Sequence, residues 1–184
     1  MNEKKLIPVM EHLVEDDVNQ SREYVKLALV FVAITLVSVL IYLLNDSEYV
    51  KDLNDVEKFI SMFMGVFFVT FAMFKIINLP AFVDGFMMYD IVAKRSRIYA
   101  KWYPVFQLFL GCAMFVFASN PIVHFLAALL SFVALIGVYK KVKAKEKIHC
   151  ACLGNVIKMP LSTVSAFEDG IMFVLAAYMF LVMI

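Results

Sequence analysis

Val25-Lys26-Leu27-Ala28-Leu29-Val30-Phe31-Val32-Ala33-Ile34-Thr35-Leu36-Val37-Ser38-Val39-Leu40-Ile41-Tyr42-Leu43-Leu44 decides how the rest of the chain is read. A helix of about twenty residues rising ~1.5 Å per residue crosses a hydrocarbon core of ~30 Å. Lys26 is its one charge, placed at the end where a long side chain reaches the headgroups. The run has no basic start or small-residue cleavage site ahead of it, so it reads as a retained helix and not as a signal peptide.

The 184-residue chain repeats this pattern. It is 63% hydrophobic, with a mean hydropathy of +0.83, against about 45–50% apolar for a soluble domain. That excess exceeds what an internal core absorbs, so lipid is the expected solvent for much of the surface. The net charge of +1 gives no footprint for nucleic acid. The expected fold is all-α, a polytopic membrane bundle of about five transmembrane helices plus one amphipathic interfacial helix. Residues 1–22 form a polar, mixed-charge N-terminal segment. Residues 23–184 form the transmembrane domain, with spans at about 25–44, 59–77, 102–118, 122–139 and 161–184. Between the second and third spans, Phe82, Val83, Phe86, Tyr89, Val92 and Ala93 recur at helical spacing, with Asp84, Asp90, Lys94, Arg95 and Arg97 among them. That pattern predicts one helix over 81–99 lying in the interface, its charged residues forming a solvated face.

Charge sets the orientation. With five spans, fifteen of the seventeen Lys and Arg residues fall on one side, and only Lys51 and Lys58 on the other. The positive-inside rule then makes the N-terminus, the interfacial segment and the loop from Lys140 to Lys158 cytoplasmic.

That basic loop holds His149-Cys150-Ala151-Cys152-Leu153-Gly154, and with it two of the three cysteines. A Cys-X-Cys pair can cycle between a dithiol and a strained disulfide with a partner protein. It can also chelate a soft cation, a copper, zinc or mercury ion, with His149 as a third ligand or a base. Lys145, Lys147 and Lys158 favour the thiolate in either case. A reducing compartment argues against a static disulfide. The bland alternative is two small apolar residues at headgroup depth, and spacing alone does not choose between a redox and a metal role. Glu168 and Asp169, near the start of the last helix, are candidates for proton exchange with the thiols or for ion pairing with Lys75 or Lys101. Cys112 in the third span is expected to be buried apolar filler, and so are Met62, Met64, Met73 and Met114. His124 reads as structural.

Several of these segments resemble a known family. They are Phe71-Ala72-Met73-Phe74-Lys75-Ile76-Ile77-Asn78-Leu79, Tyr89-Asp90, Ala93-Lys94-Arg95, Tyr103-Pro104 and Leu110-Gly111. The most specific piece is Cys150-Ala151-Cys152-Leu153-Gly154, followed by Met159-Pro160-Leu161-Ser162-Thr163-Val164 and Glu168-Asp169. Together they are similar to the MauE/DoxX-like redox-associated membrane proteins. The resemblance covers about two thirds of the chain. It implies a small helical protein of the bacterial inner membrane engaged in thiol-disulfide chemistry, as in disulfide maturation of methylamine dehydrogenase. A thioredoxin-like or metal-donor protein is the implied partner. Related proteins often carry a heavy-metal-associated domain, whose Cys pair residues 1–22 lack. Gln107 stands where the pattern leads one to expect a Glu before Leu108-Phe109-Leu110-Gly111.

Overall fold

The computed structural model describes residues 25–44, 53–143 and 161–184. Within them all regular secondary structure is helical: α1 (Val25–Leu44), α2 (Asp55–Ile77), α3 (Leu79–Tyr89), α4 (Arg97–Val116), α5 (Pro121–Lys143) and α6 (Leu161–Val182). Three of these, α1, α2 and the Pro121–Lys140 part of α5, are long and apolar enough to cross a membrane. The helices form an all-α bundle, as the sequence predicts.

Local chemistry sets the boundaries. α2 starts ahead of its apolar run because Glu57 closes the first turn, its Oε2 accepting from the Asn54 backbone N–H at 3.0 Å. It stops at Asn78, and Pro80 sits in the first turn of α3, where its missing N–H costs nothing. α5 opens with Pro121, while Asn120 Oδ1 accepts from the Ile122 N–H at 2.9 Å.

The single interfacial helix expected over 81–99 is two elements. Asp90 ends α3, and its Oδ1 accepts from the N–H groups of Val92 at 2.9 Å and Ala93 at 2.7 Å. This side chain replaces the next helical hydrogen bonds with a turn. Ser96 then caps α4, its Oγ accepting from the Tyr99 N–H at 3.3 Å. Arg97 and Asp84 do lie on the solvated face, as an exposed ion pair at 2.9 Å. Asp90 does not, because it is completely buried.

Ring contacts give the pairing. Phe31 meets Phe67 and Phe71, and Tyr42 meets Phe59, so α1 runs antiparallel to α2. Phe125 meets Phe180 and Phe132 meets Phe173, so α5 and α6 are antiparallel too. α2 and α4 approach closely at two glycines. A Cβ on Gly111 would lie 3.0 Å from both the Gly65 carbonyl oxygen and the Val69 nitrogen, and a Cβ on Gly65 would lie 2.9 Å from the Phe115 ring. In lipid no hydrophobic force drives helices together, so backbone contact of this kind, with van der Waals packing, supplies the association. Ser61 adds a hydrogen bond across it, from Oγ to the Met114 carbonyl at 3.3 Å.

The outward faces are apolar. Ile98, Trp102, Phe106 and Phe109 follow one another at helical spacing along α4 and are all exposed, as are Leu29, Leu36, Leu40 and Leu43 on α1. Such a surface suits lipid contact. Cys112 also faces outward, next to the inward-packed Gly111. The expectation that it fills the core is therefore corrected: the residue that had to be small on that face was the glycine. Met62, Met64 and Met114 are core residues, whereas Met73 is exposed.

Candidate functional site

Four of the buried polar side chains, Lys75, Asp90, Gln107 and Glu168, gather at one end of this bundle. Antiparallel packing brings together the C-terminal end of α2, the turn after α3, the first half of α4, the C-terminal part of α5 and the N-terminal part of α6. Each contributes a polar side chain or a close backbone.

Lys75 comes from the last turn of α2 and is almost fully buried. Its ammonium donates to Gln107 Oε1 of α4 at 2.6 Å. It also lies 5.6 Å from the centre of the Phe82 ring and 5.0 Å from that of Tyr103. Those rings supply the cation–π stabilisation that a buried ammonium needs. They belong to an aromatic cluster in which Phe86 stacks on Phe82 at 5.0 Å and approaches Tyr103 at 4.6 Å. Gln107 itself is buried. An amide at this position gives Lys75 an acceptor without neutralising its charge.

Asp90 enters from the other side. Its exposure is 0%, and while Oδ1 takes two backbone N–H groups, Oδ2 has no hydrogen-bond partner. Burial pushes its carboxyl above the ordinary aspartate range, against the opposing pull of the Ala93 and Val92 amides and of Lys94. The position is reached because α5 carries glycine there: a Cβ on Gly137 would lie 2.9 Å from the Tyr89 carbonyl oxygen and 3.1 Å from Asp90 Cα. From α6 come Glu168, buried, and Asp169, partly buried.

Of the residues singled out in the sequence, Glu168 therefore lies inside the bundle at its polar end. Cys150, Cys152 and His149 lie outside the described residues. Among the described residues no group of three or more His, Cys, Asp and Glu side chains is arranged to hold a metal ion. Lys75 was an ion-pair candidate for the α6 acids in the sequence; its hydrogen bond goes to Gln107. The burial of Asp90 was not legible, because its helical register is polar on paper. Its own side chain makes the turn that carries it inward, through the Val92 and Ala93 amides, and no local pattern announces it. His124, on α5 toward the opposite end, is fully buried and donates from Nε2 to the Ala118 carbonyl at 2.9 Å, holding the α4–α5 connection.

Arranged this way, the end of the bundle can hold a fixed positive charge beside carboxyl groups that have little access to water. Residues 53–182 match the model of a protein family described as methylamine utilisation protein MauE. No curated protein and no solved structure matches the chain.

Proposed function

The chain belongs to the MauE family, and from that premise we propose that it is an inner-membrane component of thiol-disulfide chemistry, exchanging electrons with a thioredoxin-like partner through Cys150 and Cys152. One thiolate attacks a partner disulfide and forms a mixed disulfide, releasing one partner sulfur as a thiolate. The second cysteine then attacks the first, releasing the partner's other sulfur. The pair is oxidised, the partner is reduced, and two protons leave with the two electrons. Glu168 is the carboxyl proposed to take up protons from the thiols.

The observation that carries this reading is the family match, which runs through both cysteines and on through α6. The buried ionisable groups at the bundle end where α5 stops and α6 begins support it, since intramembrane ionisable side chains are costly and tend to mark function. The lysine-rich surroundings of the pair favour the thiolate. In this reading five helices span the inner membrane of a bacterium, with the N-terminus and the cysteine loop in the cytoplasm, where the pair rests as a dithiol.

The test is an alkylation shift on cells quenched in acid. A fraction of wild-type protein should carry a Cys150–Cys152 disulfide, and Cys152→Ser should trap a mixed disulfide with a partner. If neither species forms, the redox reading fails. A second reading, a cytosolic thiolate site for copper, zinc or mercury ions completed by His149, is favoured by the soft donor set. It predicts stoichiometric metal binding that Cys150→Ser/Cys152→Ser abolishes.

A further inference from the structure

The connection between α3 and α4 turns its acid inward and its bases outward. Asp90 and Ala93 are fully buried, whereas Lys94 and Arg95 are exposed. Backbone hydrogen bonds fix this arrangement. The Lys94 N–H donates to the Asp90 carbonyl at 3.2 Å and the Arg95 N–H to the Val92 carbonyl at 3.0 Å, beside the two amides that Asp90 Oδ1 accepts. The first turns of α4 add Arg97 and Lys101, both exposed. α5 adds the exposed Lys140, which lies within one helical turn of Gly137 where that glycine packs on Tyr89 and Asp90. Among the described residues the exposed carboxylate at this end is Asp84, and Arg97 takes it at 2.9 Å. Lys94, Arg95 and Lys101 have no ion pair among the described residues.

Directly beside these bases the surface of α4 is apolar. At about 100° per residue, Lys101 shares a face with Ile98, Trp102, Val105 and Phe109, all of them exposed. From Trp102 to Val116 that face runs for about 20 Å. Bases at the top, an indole at their edge and a long apolar stripe beneath match the order of a phospholipid: phosphate, ester region, acyl chains. Lipid of any kind suits the stripe, so the cations decide which lipid is preferred. A zwitterionic headgroup carries its own cation and gains little beside three bases. A headgroup of net negative charge gains from all three, with Arg95 able to bind phosphate through two parallel N–H groups. The continuity of the bases with exposed Ile98 and Trp102 favours lipid over a soluble acidic protein segment, which would leave the stripe uncovered.

The geometry points to a site on α4 selective for anionic phospholipid, the headgroup phosphate held by Lys94, Arg95 and Lys101 and the acyl chains lying along Trp102, Val105 and Phe109. It involves neither cysteine of the Cys-X-Cys pair and holds whichever way the chain is oriented.

Trp102 is the single tryptophan of the chain, so its fluorescence reports on this face alone. The test reconstitutes the full chain in vesicles of equimolar phosphatidylglycerol and phosphatidylcholine, with bromine on the acyl chains of one lipid or the other. Brominated phosphatidylglycerol should quench Trp102 more strongly than brominated phosphatidylcholine, and added salt should narrow the difference. At low salt each base should contribute roughly a fivefold preference. Lys94→Gln/Arg95→Gln/Lys101→Gln should abolish the preference while brominated phosphatidylcholine still quenches, which shows that the variant is inserted. Lys58→Gln, in the first turn of α2 at the opposite end of the bundle, should keep it. Equal quenching by the two brominated lipids in the wild type overturns the proposal without reference to any variant. If soluble polyglutamate then shifts the Trp102 emission, the bases serve an acidic protein segment instead. A preference that survives in the triple variant places the anionic lipid elsewhere and overturns it equally.

Discussion

Replacing Gln107 by Leu tests whether Lys75 is held as described. The amide oxygen lies 2.6 Å from Nζ and is the one hydrogen-bond acceptor that the described residues give this buried ammonium. Leucine is close to glutamine in size, so the change removes the acceptor with little change in volume. A hydrogen bond to a charged group contributes about 1.5–3 kcal/mol. The two ring faces remain, each contributing roughly 0.5–2 kcal/mol, so the ammonium stays but is held less well. For a chain of this size a destabilisation of about 1.5–3 kcal/mol corresponds to a fall in Tm of roughly 3–12 °C. The assay is thermal unfolding in detergent of Gln107→Leu, Lys75→Met and the double variant. The double variant should lose clearly less than the sum of the two single losses, because leucine beside methionine leaves nothing unsatisfied. Strict additivity, or a Gln107→Leu protein as stable as wild type, would refute the contact.

Other outcomes follow from the same geometry. Gly111→Val places a branched side chain where even a Cβ meets backbone atoms at 3.0 Å, so α2 and α4 must separate; a loss of about 1–3 kcal/mol, or failure to accumulate in the membrane, is expected from expression and unfolding measurements. Arg97→Ala removes an ion pair whose partners are 57% and 60% exposed, and unfolding should change by less than about 1 kcal/mol. The pH dependence has a definite sign. The folded pKa of Asp90 is raised, so its stabilising contribution is complete below the ordinary aspartate range and is lost as pH rises through the folded value. Unfolding scans across that window should show wild type losing stability relative to Asp90→Asn as pH rises, and parallel curves would contradict the burial of Asp90.

Much of the architecture is legible without coordinates because lipid imposes a simple rule. A segment that crosses hydrocarbon must be long, apolar and helical to satisfy its own backbone, and α1, α2 and α5 meet that rule. The interface is harder to read. Phe82, Val83, Phe86 and Tyr89 were legible as one buried face. The helix break at Asp90 was not, since it depends on a side chain preferring two backbone amides to water. Cys112 and Gly111 are adjacent in the chain, and helical rotation alone sends one outward and the other against α2.

By itself the sequence determined that this protein is a helical membrane bundle of the MauE type, because hydropathy and the family's sequence pattern are local properties of the chain. Only the tertiary structure decided which charges share an interior. Lys75 and Gln107 are 32 positions apart, and Asp90 and the Gly137 backbone it packs against lie on different elements. Their meeting depends on the antiparallel order of the helices and on glycine contacts at Gly65, Gly111 and Gly137 that let backbones approach. Electrostatic balance in a low-dielectric interior is a property of that assembly, and no window of the sequence contains it.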